Sequence, residues 1–350
     1  MRNTRFLMIA VAVGFLVSLG CGRQPSASQA VDSRKLAAFA PLPELLPVNS
    51  GAPMAQKIVL GRMLFYEPRL SKSQTISCNT CHKLTNYGID DEPTSTGHKG
   101  QRGDRNSPTV YNAALHFAQF WDGRAADVEE QAKGPVLNPV EMAMPSRKGA
   151  IAVLKSIPEY VKAFQRAFPN EKDPVTFDNM ANAIGAFERR LLTPSPWDRF
   201  LKGDEAALTA EQKAGFNTFM AAGCQTCHAG ALLGGNLYQK LGAVKPFPDA
   251  ADPGRFKVTG NESDRMVFKV PSLRNVAKTA PYFHTGKVPA LEQAVSQMAE
   301  YQLGRQLTDA EVRSIVAWLG SLTGDIPAEY IKEPPLPKST ARTPRPDPTD

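Results

Sequence analysis

The stretches "ISCNTCHK" (residues 76–83) and "AGCQTCHA" (residues 222–229) carry the same pentapeptide, C-x-x-C-H. The first copy holds Cys78, Cys81 and His82, and the second holds Cys224, Cys227 and His228. The 350-residue chain has only five cysteines and five histidines, and every cysteine except Cys21 falls inside a copy. Two cysteines three positions apart on a turning backbone can form thioethers with both vinyl groups of one haem. The adjacent histidine then sits under the iron as an axial ligand. Zinc is one rival, but its four-ligand sites bring the ligand pairs much closer together in sequence. A dithiol redox site is another, and it has no need of the histidine. In an exported chain, the doubled pentapeptide points to two covalently bound c-type haems.

Export is read from the first residues. Arg2 and Arg5 precede the uninterrupted apolar run "FLMIAVAVGFLVSL", too short for a comfortable membrane span, so residues 1–20 read as a signal peptide. Gly20 before Cys21 resembles a bacterial lipoprotein signal, in which Cys21 becomes the lipidated first residue. Ser18 stands where that signal usually has leucine, and an ordinary cleavage nearby is the alternative. Either way the mature protein is expected in the periplasm, with a lipid anchor to a membrane in the first case. Residues 21–43, opening "CGRQPSASQAVDSRK", read as a flexible tether. Residues 329–350, ending "EPPLPKSTARTPRPDPTD", read as a Pro-rich tail with too few apolar residues for a core. The net charge of +7 is spread along the chain without a basic run or interleaved aromatics, so nothing points to nucleic acid.

Strand signals are sparse and helix signals frequent, so the expected class is all-α. "APMAQKIVLGRMLFY" and "FDNMANAIGAFERRLL" space their apolar residues helically. "LTAEQKAGFNTFMAAG" opens with Thr209 and Gln212, and "LTDAEVRSIVAWLGSL" with Thr308 and Glu311, each a capping box. One such helix precedes each C-x-x-C-H copy and another closes its segment. Between them run long Gly- and Pro-rich loops such as "GHKGQRGDRNSP" and "FPDAADPGRFKVTG", which suit a chain wrapped around a bulky group. The spacing predicts two helical domains, residues 44–195 and 196–328, with "LTPSPWD" (residues 192–198) as the hinge.

The second axial position of each iron decides function: a Met sulfur suits electron transfer, a second His lowers the potential, and an open site binds a small oxidant. For the second haem the downstream methionines are Met266 and Met298, either of which could instead fill a core gap. For the first, His98 lies in the Gly-rich loop "STGHKGQRG".

"LGRMLFYEPRLS", "SCNTCH", "RNSPTVYNAALHFAQFWDGRAADVEEQAKGP", "PVEM" and "FKVPSLRNVAKTAPYFHTG" together resemble the bacterial dihaem cytochrome c peroxidases over residues 45–325. The resemblance implies two cytochrome c-like haem domains facing each other. The C-terminal haem would take electrons from a small donor, a cytochrome c or a cupredoxin, and the N-terminal haem would reduce hydrogen peroxide to water. It makes His82 the proximal ligand of the peroxidatic haem on Cys78 and Cys81, closed in the resting form by His98. It makes Met298 of "MAEYQLG" the partner of His228 in the electron-transfer haem on Cys224 and Cys227. It assigns Trp121 to the path between the haems, Glu141 to the distal acid and Gln131 to a polar place beside it. It adds a calcium ion held by the Asn106 side chain and the carbonyls of Thr279 and Pro281, and a possible homodimer. On residue type alone Trp121 could be a core aromatic, Glu141 a loop charge, and His116 and His284 structural. A non-catalytic dihaem carrier and a MauG-like oxidase of a partner protein are the alternatives. MauG-type chains have tyrosine where this one has Met298 and lack the closing histidine seen here as His98.

Overall fold

The computed structural model describes residues 31–44 and 52–348, and Val31–Asp350 form one compact unit. The export signal and Cys21 lie outside the described residues. The helices are α1 (Ser33–Leu36), α2 (Ala52–Phe65), α3 (Cys78–Cys81), α4 (Val128–Leu137), α5 (Arg147–Lys155), α6 (Pro158–Ala167) and α7 (Phe177–Glu188). They continue with α8 (Pro196–Leu201), α9 (Ala210–Ala222), α10 (Phe256–Thr259), α11 (Leu291–Gln297), α12 (Asp309–Gly320) and α13 (Ala328–Ile331). The chain is mostly helical, as expected, with one short ribbon added: β1 (Tyr238–Lys240) pairs antiparallel with β2 (Val267–Lys269), Gln239 facing Phe268. The four helices read from the sequence are α2, α7, α9 and α12, and both capping boxes form. Each box satisfies two helix-end N–H groups that would otherwise lack partners.

Two buried clusters organise the unit. One is built from α2 and α4–α7 around Leu64, Phe65, Phe164, Ile184 and Phe187; the other from α8, α9, α11 and α12 around Trp197, Phe216, Phe219 and Trp318. The same device makes the central crossing of each. A Cβ on Gly61 of α2 would overlap the carbonyl oxygen of Ala183 on α7, and a Cβ on Gly215 of α9 would overlap that of Ser314 on α12. Four residues beyond each glycine, a phenylalanine meets an aromatic of the partner helix: Phe65 lies 5.5 Å from Phe187, and Phe219 lies 4.4 Å from Trp318. The internal repeat thus extends from the pentapeptides to the helix pairs that support them. Gly61→Ala should lower stability in chemical denaturation. The overlap costs about 1–3 kcal/mol, against roughly 1 kcal/mol that alanine gains over glycine in a helix. An unchanged midpoint would mean that α2 and α7 can separate without loss.

Three segments differ from their sequence reading. Part of the expected tether is docked: Phe39 is buried edge-on against Trp197, and the Leu42 N–H donates to Asp198 Oδ1 at 2.7 Å. The expected hinge is buried rather than free. Thr193 Oγ1 accepts from Asn112 Nδ2 at 2.9 Å and Asn275 Nδ2 at 2.8 Å, and Asp198 is ion-paired with Arg274 at 2.5 Å. Breaking such a buried pair by removing one partner typically costs about 3–5 kcal/mol, so this junction is fixed. The Pro-rich tail straps the first cluster. Tyr330 stacks on Phe187, Ile331 is buried, and Arg69 Nη2 donates to Pro337 O at 2.8 Å. Arg69 is itself aimed by the buried Glu67, which also accepts from Tyr160 Oη.

Candidate functional site

Each pentapeptide is a single tight turn that follows a helix or loop end and places its histidine just past the second cysteine. In the second copy Gly223, at φ 94°, ends α9 in the left-handed conformation that glycine tolerates, and the chain turns at once into Cys224–Thr226. His228 Nδ1 is 2.9 Å from Leu233 O, which fixes Nδ1 as the donor and leaves Nε2 to face a ligand. The first copy repeats this: His82 Nδ1 lies 3.3 Å from Gly88 O. Burial pushes both imidazoles below the ordinary histidine range, which keeps them neutral and able to ligate. All four cysteines are free and half-buried. Among the described residues, no three His, Cys, Asp or Glu side chains cluster so as to hold a metal ion.

The second copy opens on a large, mainly apolar cavity of about 1240 Å³, part of it open to solvent. Cys224, Cys227, His228, Leu273, Leu291 and Met298 are among the residues that line it. Met298 begins a π-helical turn, Met298–Gln302, that directly continues α11; such wide turns occur preferentially at functional sites. Met266 does not line the cavity; it is packed with Phe247 and Phe268. Apolar walls, a thioether sulfur, two cysteines and an oriented imidazole suit a covalently attached haem.

Around the first copy, the His98 N–H donates to Val140 O at 2.9 Å and Glu141 O at 2.8 Å, and His98 is buried. A Cβ on Gly97 would overlap Val140 O, so glycine there permits close approach. Glu141 follows α4, and Asn138 Nδ2 donates to its Oε1 at 2.7 Å. Burial pushes the Glu141 carboxyl up, partly offset by the Asn138 bond and the Arg124 charge. Burial raises the Cys78 and Cys81 thiols, and the Glu141 charge adds a little to that rise. The structure therefore joins His98 and Glu141 beside the first pentapeptide. Gln131 sits half-buried on α4.

Trp121 lines the second cavity, with Nε1 donating to Asn106 O at 2.9 Å and its own carbonyl accepting from the Lys269 N–H at 2.7 Å. Asn106 Nδ2 donates to Glu92 O and Pro93 O; Pro281 forms the cis Ala280–Pro281 bond, and Thr279 precedes it. Sequence reading missed Arg105, which joins Asp122 and Asp252 at 2.5 Å each, and the contact of Lys269 with His116. In the sequence both bases look like ordinary solvated charges.

Residues 55–206 match the family described as di-haem cytochrome c peroxidase. The cytochrome c551 peroxidase of Pseudomonas aeruginosa is 51% identical over 91% of this chain and 93% of its own. The methylamine utilization protein MauG of Paracoccus denitrificans is 33% identical over 83% of this chain and 95% of its own. Among solved structures, a MauG-like protein associated with microbial copper homeostasis superposes with a TM-score of 0.72 at 28% identity, covering 84% of this chain and 98% of that one. The diheme peroxidase BthA of Burkholderia thailandensis shares the fold with a TM-score of 0.67 at 20% identity, covering 88% of this chain and 94% of that one. The fold and paired pentapeptides are those of a dihaem c-type oxidoreductase. The chain belongs to the di-haem cytochrome c peroxidase family and is an enzyme of that family.

Proposed function

We propose that this protein reduces hydrogen peroxide to water in the periplasm, taking electrons from a small donor such as a cytochrome c or a cupredoxin. The observation that carries this reading is the asymmetry of the two sites. One cavity joins His228 to Met298, a pairing suited to electron transfer. The other pentapeptide lies beside a histidine and a buried carboxylate that share a backbone contact. Bound haem would supply the electron transfer and the oxygen–oxygen cleavage. His82 and His228 would hold the irons from the sides fixed by Gly88 and Leu233. Glu141 would take the proton from one peroxide oxygen and return it to the other, with Gln131 as a polar neighbour. His98 would close the first site at rest, and Trp121 would carry electrons between the sites. Residues 44–195 and 196–328 would be the two haem domains. A calcium ion on Asn106, Thr279 and Pro281 would tie their boundary, since that ion accepts carbonyl and amide oxygens.

The test is a redox titration followed by absorption and EPR spectra, with peroxide added at the half-reduced point. Rapid peroxide consumption is expected there. Both haems present with no turnover at any potential would instead make this a dihaem electron carrier.

A further inference from the structure

Lys269 is a buried cation with no carboxylate partner among the described residues. Only 7% of the residue is exposed, yet its Nζ contacts no acid and lies 2.7 Å from His116 Nδ1. The other strongly buried cations nearby are paired: Arg105 with Asp122 and Asp252, and Arg274 with Asp198. A buried ammonium with no anion is costly to keep, and burial alone pushes Lys269 down to about 8. The Lys269–His116 contact resolves as an ammonium donating to neutral imidazole, which makes Nδ1 the acceptor and places the proton on Nε2. That Nε2 is buried with no hydrogen-bond partner, and the same is true of His284 Nε2. His284 stacks on Phe268 at 4.3 Å and, like Lys269 and Trp121, lines the Cys224–Cys227 cavity. Lys269 and His284 thus bring nitrogen atoms to a mainly apolar cavity whose lining includes no Asp or Glu among the described residues.

The group that thioethers to Cys224 and Cys227 would bring into this cavity carries two carboxylates of its own. We propose that Lys269, held by His116 in a cavity that His284 also lines, is the seat of a propionate of that haem. The inference rests on the dihaem reading. His116 and Lys269 are far apart in sequence, so the seat assembles only when both halves of the chain are folded. A cation fixed beside the haem favours the form with one less positive charge, so the seat raises that haem's reduction potential.

The test is spectroelectrochemical titration of Lys269→Met and Lys269→Arg, each checked by mass for both haem additions, with resonance Raman bands of the propionates as a second readout. Lys269→Met should lower the reduction equilibrium constant of the Met-ligated haem about tenfold, about 59 mV for one electron. It should also shift the propionate bands. Lys269→Arg should restore most of both, and the haem on Cys78 and Cys81 should move far less. His284→Phe, which keeps the ring stacking, should shift the bands even if Lys269→Met fails to assemble. Unchanged potential and bands in variants carrying both haems would overturn the seat and leave Lys269 a structural base. Loss of haem addition at Cys224 and Cys227 in the wild-type protein would instead overturn the dihaem reading itself.

Discussion

Glu141→Gln should cost about three orders of magnitude in peroxide turnover while both haems stay attached and their potentials hold. A positioned general acid–base typically contributes about 10²–10⁴-fold. The substitution is close to isosteric. The Asn138 Nδ2 donor, 2.7 Å from Oε1, can still be accepted by the glutamine oxygen. The Glu141 carbonyl that receives the His98 N–H belongs to the backbone and is untouched. What disappears is the ability to take a proton and give it back. Burial raises this carboxyl above the ordinary range, with the Asn138 bond and Arg124 limiting the rise. That suits a group which must accept from peroxide and then release to the departing oxygen, because exchange is fastest when its pKa lies nearer the working pH. The measurement is steady-state peroxide consumption by the pre-reduced protein. Turnover within a factor of a few of wild type would remove Glu141 from the chemistry and leave it as the residue that seats His98.

How much of this was legible depended on how local each cause is. The pentapeptides could be read because thioether chemistry demands two cysteines and a histidine at fixed spacing. The starts of α9 and α12 could be read because a capping box closes within four residues. Gly61 and Gly215 could not, since their reason is a carbonyl more than ninety residues away, on Ala183 and Ser314. The tail's composition argues against a core of its own, and Tyr330 and Ile331 pack on the one built by α2 and α7. Lys269 was missed for the opposite reason: a lysine counts as solvated until β2 and its neighbours bury it. "LTPSPWD" has the composition of a hinge, but Asn112, Asn275 and Arg274 arrive from elsewhere to satisfy its polar groups. By composition alone, the glycines flanking His98 suggest backbone freedom. At Gly97 the structural reason is close approach to Val140 O instead.

That last difference sharpens what His98 should do. His98→Gly should abolish the need for prior reduction, so that fully oxidised protein consumes peroxide at once, whereas oxidised wild type should show a lag. A switch from mostly closed to mostly open requires the two redox states to differ by roughly 5 kcal/mol in their preference for the open loop. The His98 loop has visible restraints. His98 is 3% exposed, and its N–H is shared between Val140 O and Glu141 O. Giving up a hydrogen bond of this kind costs only about 0.5–1.5 kcal/mol, so the rest must come from re-exposing the imidazole and from the ligand bond it would make. Lys99 and Gly100 both have positive φ, 58° and 72°, and open space surrounds Gly100. The seat at Gly97 offers a second handle that leaves the imidazole intact. Gly97→Ala would set a Cβ against Val140 O, so it should wedge the turn off and raise the activity of oxidised protein in the same direction as His98→Gly. Stopped-flow mixing of oxidised protein with peroxide and donor reads both variants. Full-rate turnover by oxidised wild type, with no lag and no gain in either variant, would leave His98 a buried loop residue with no part in gating.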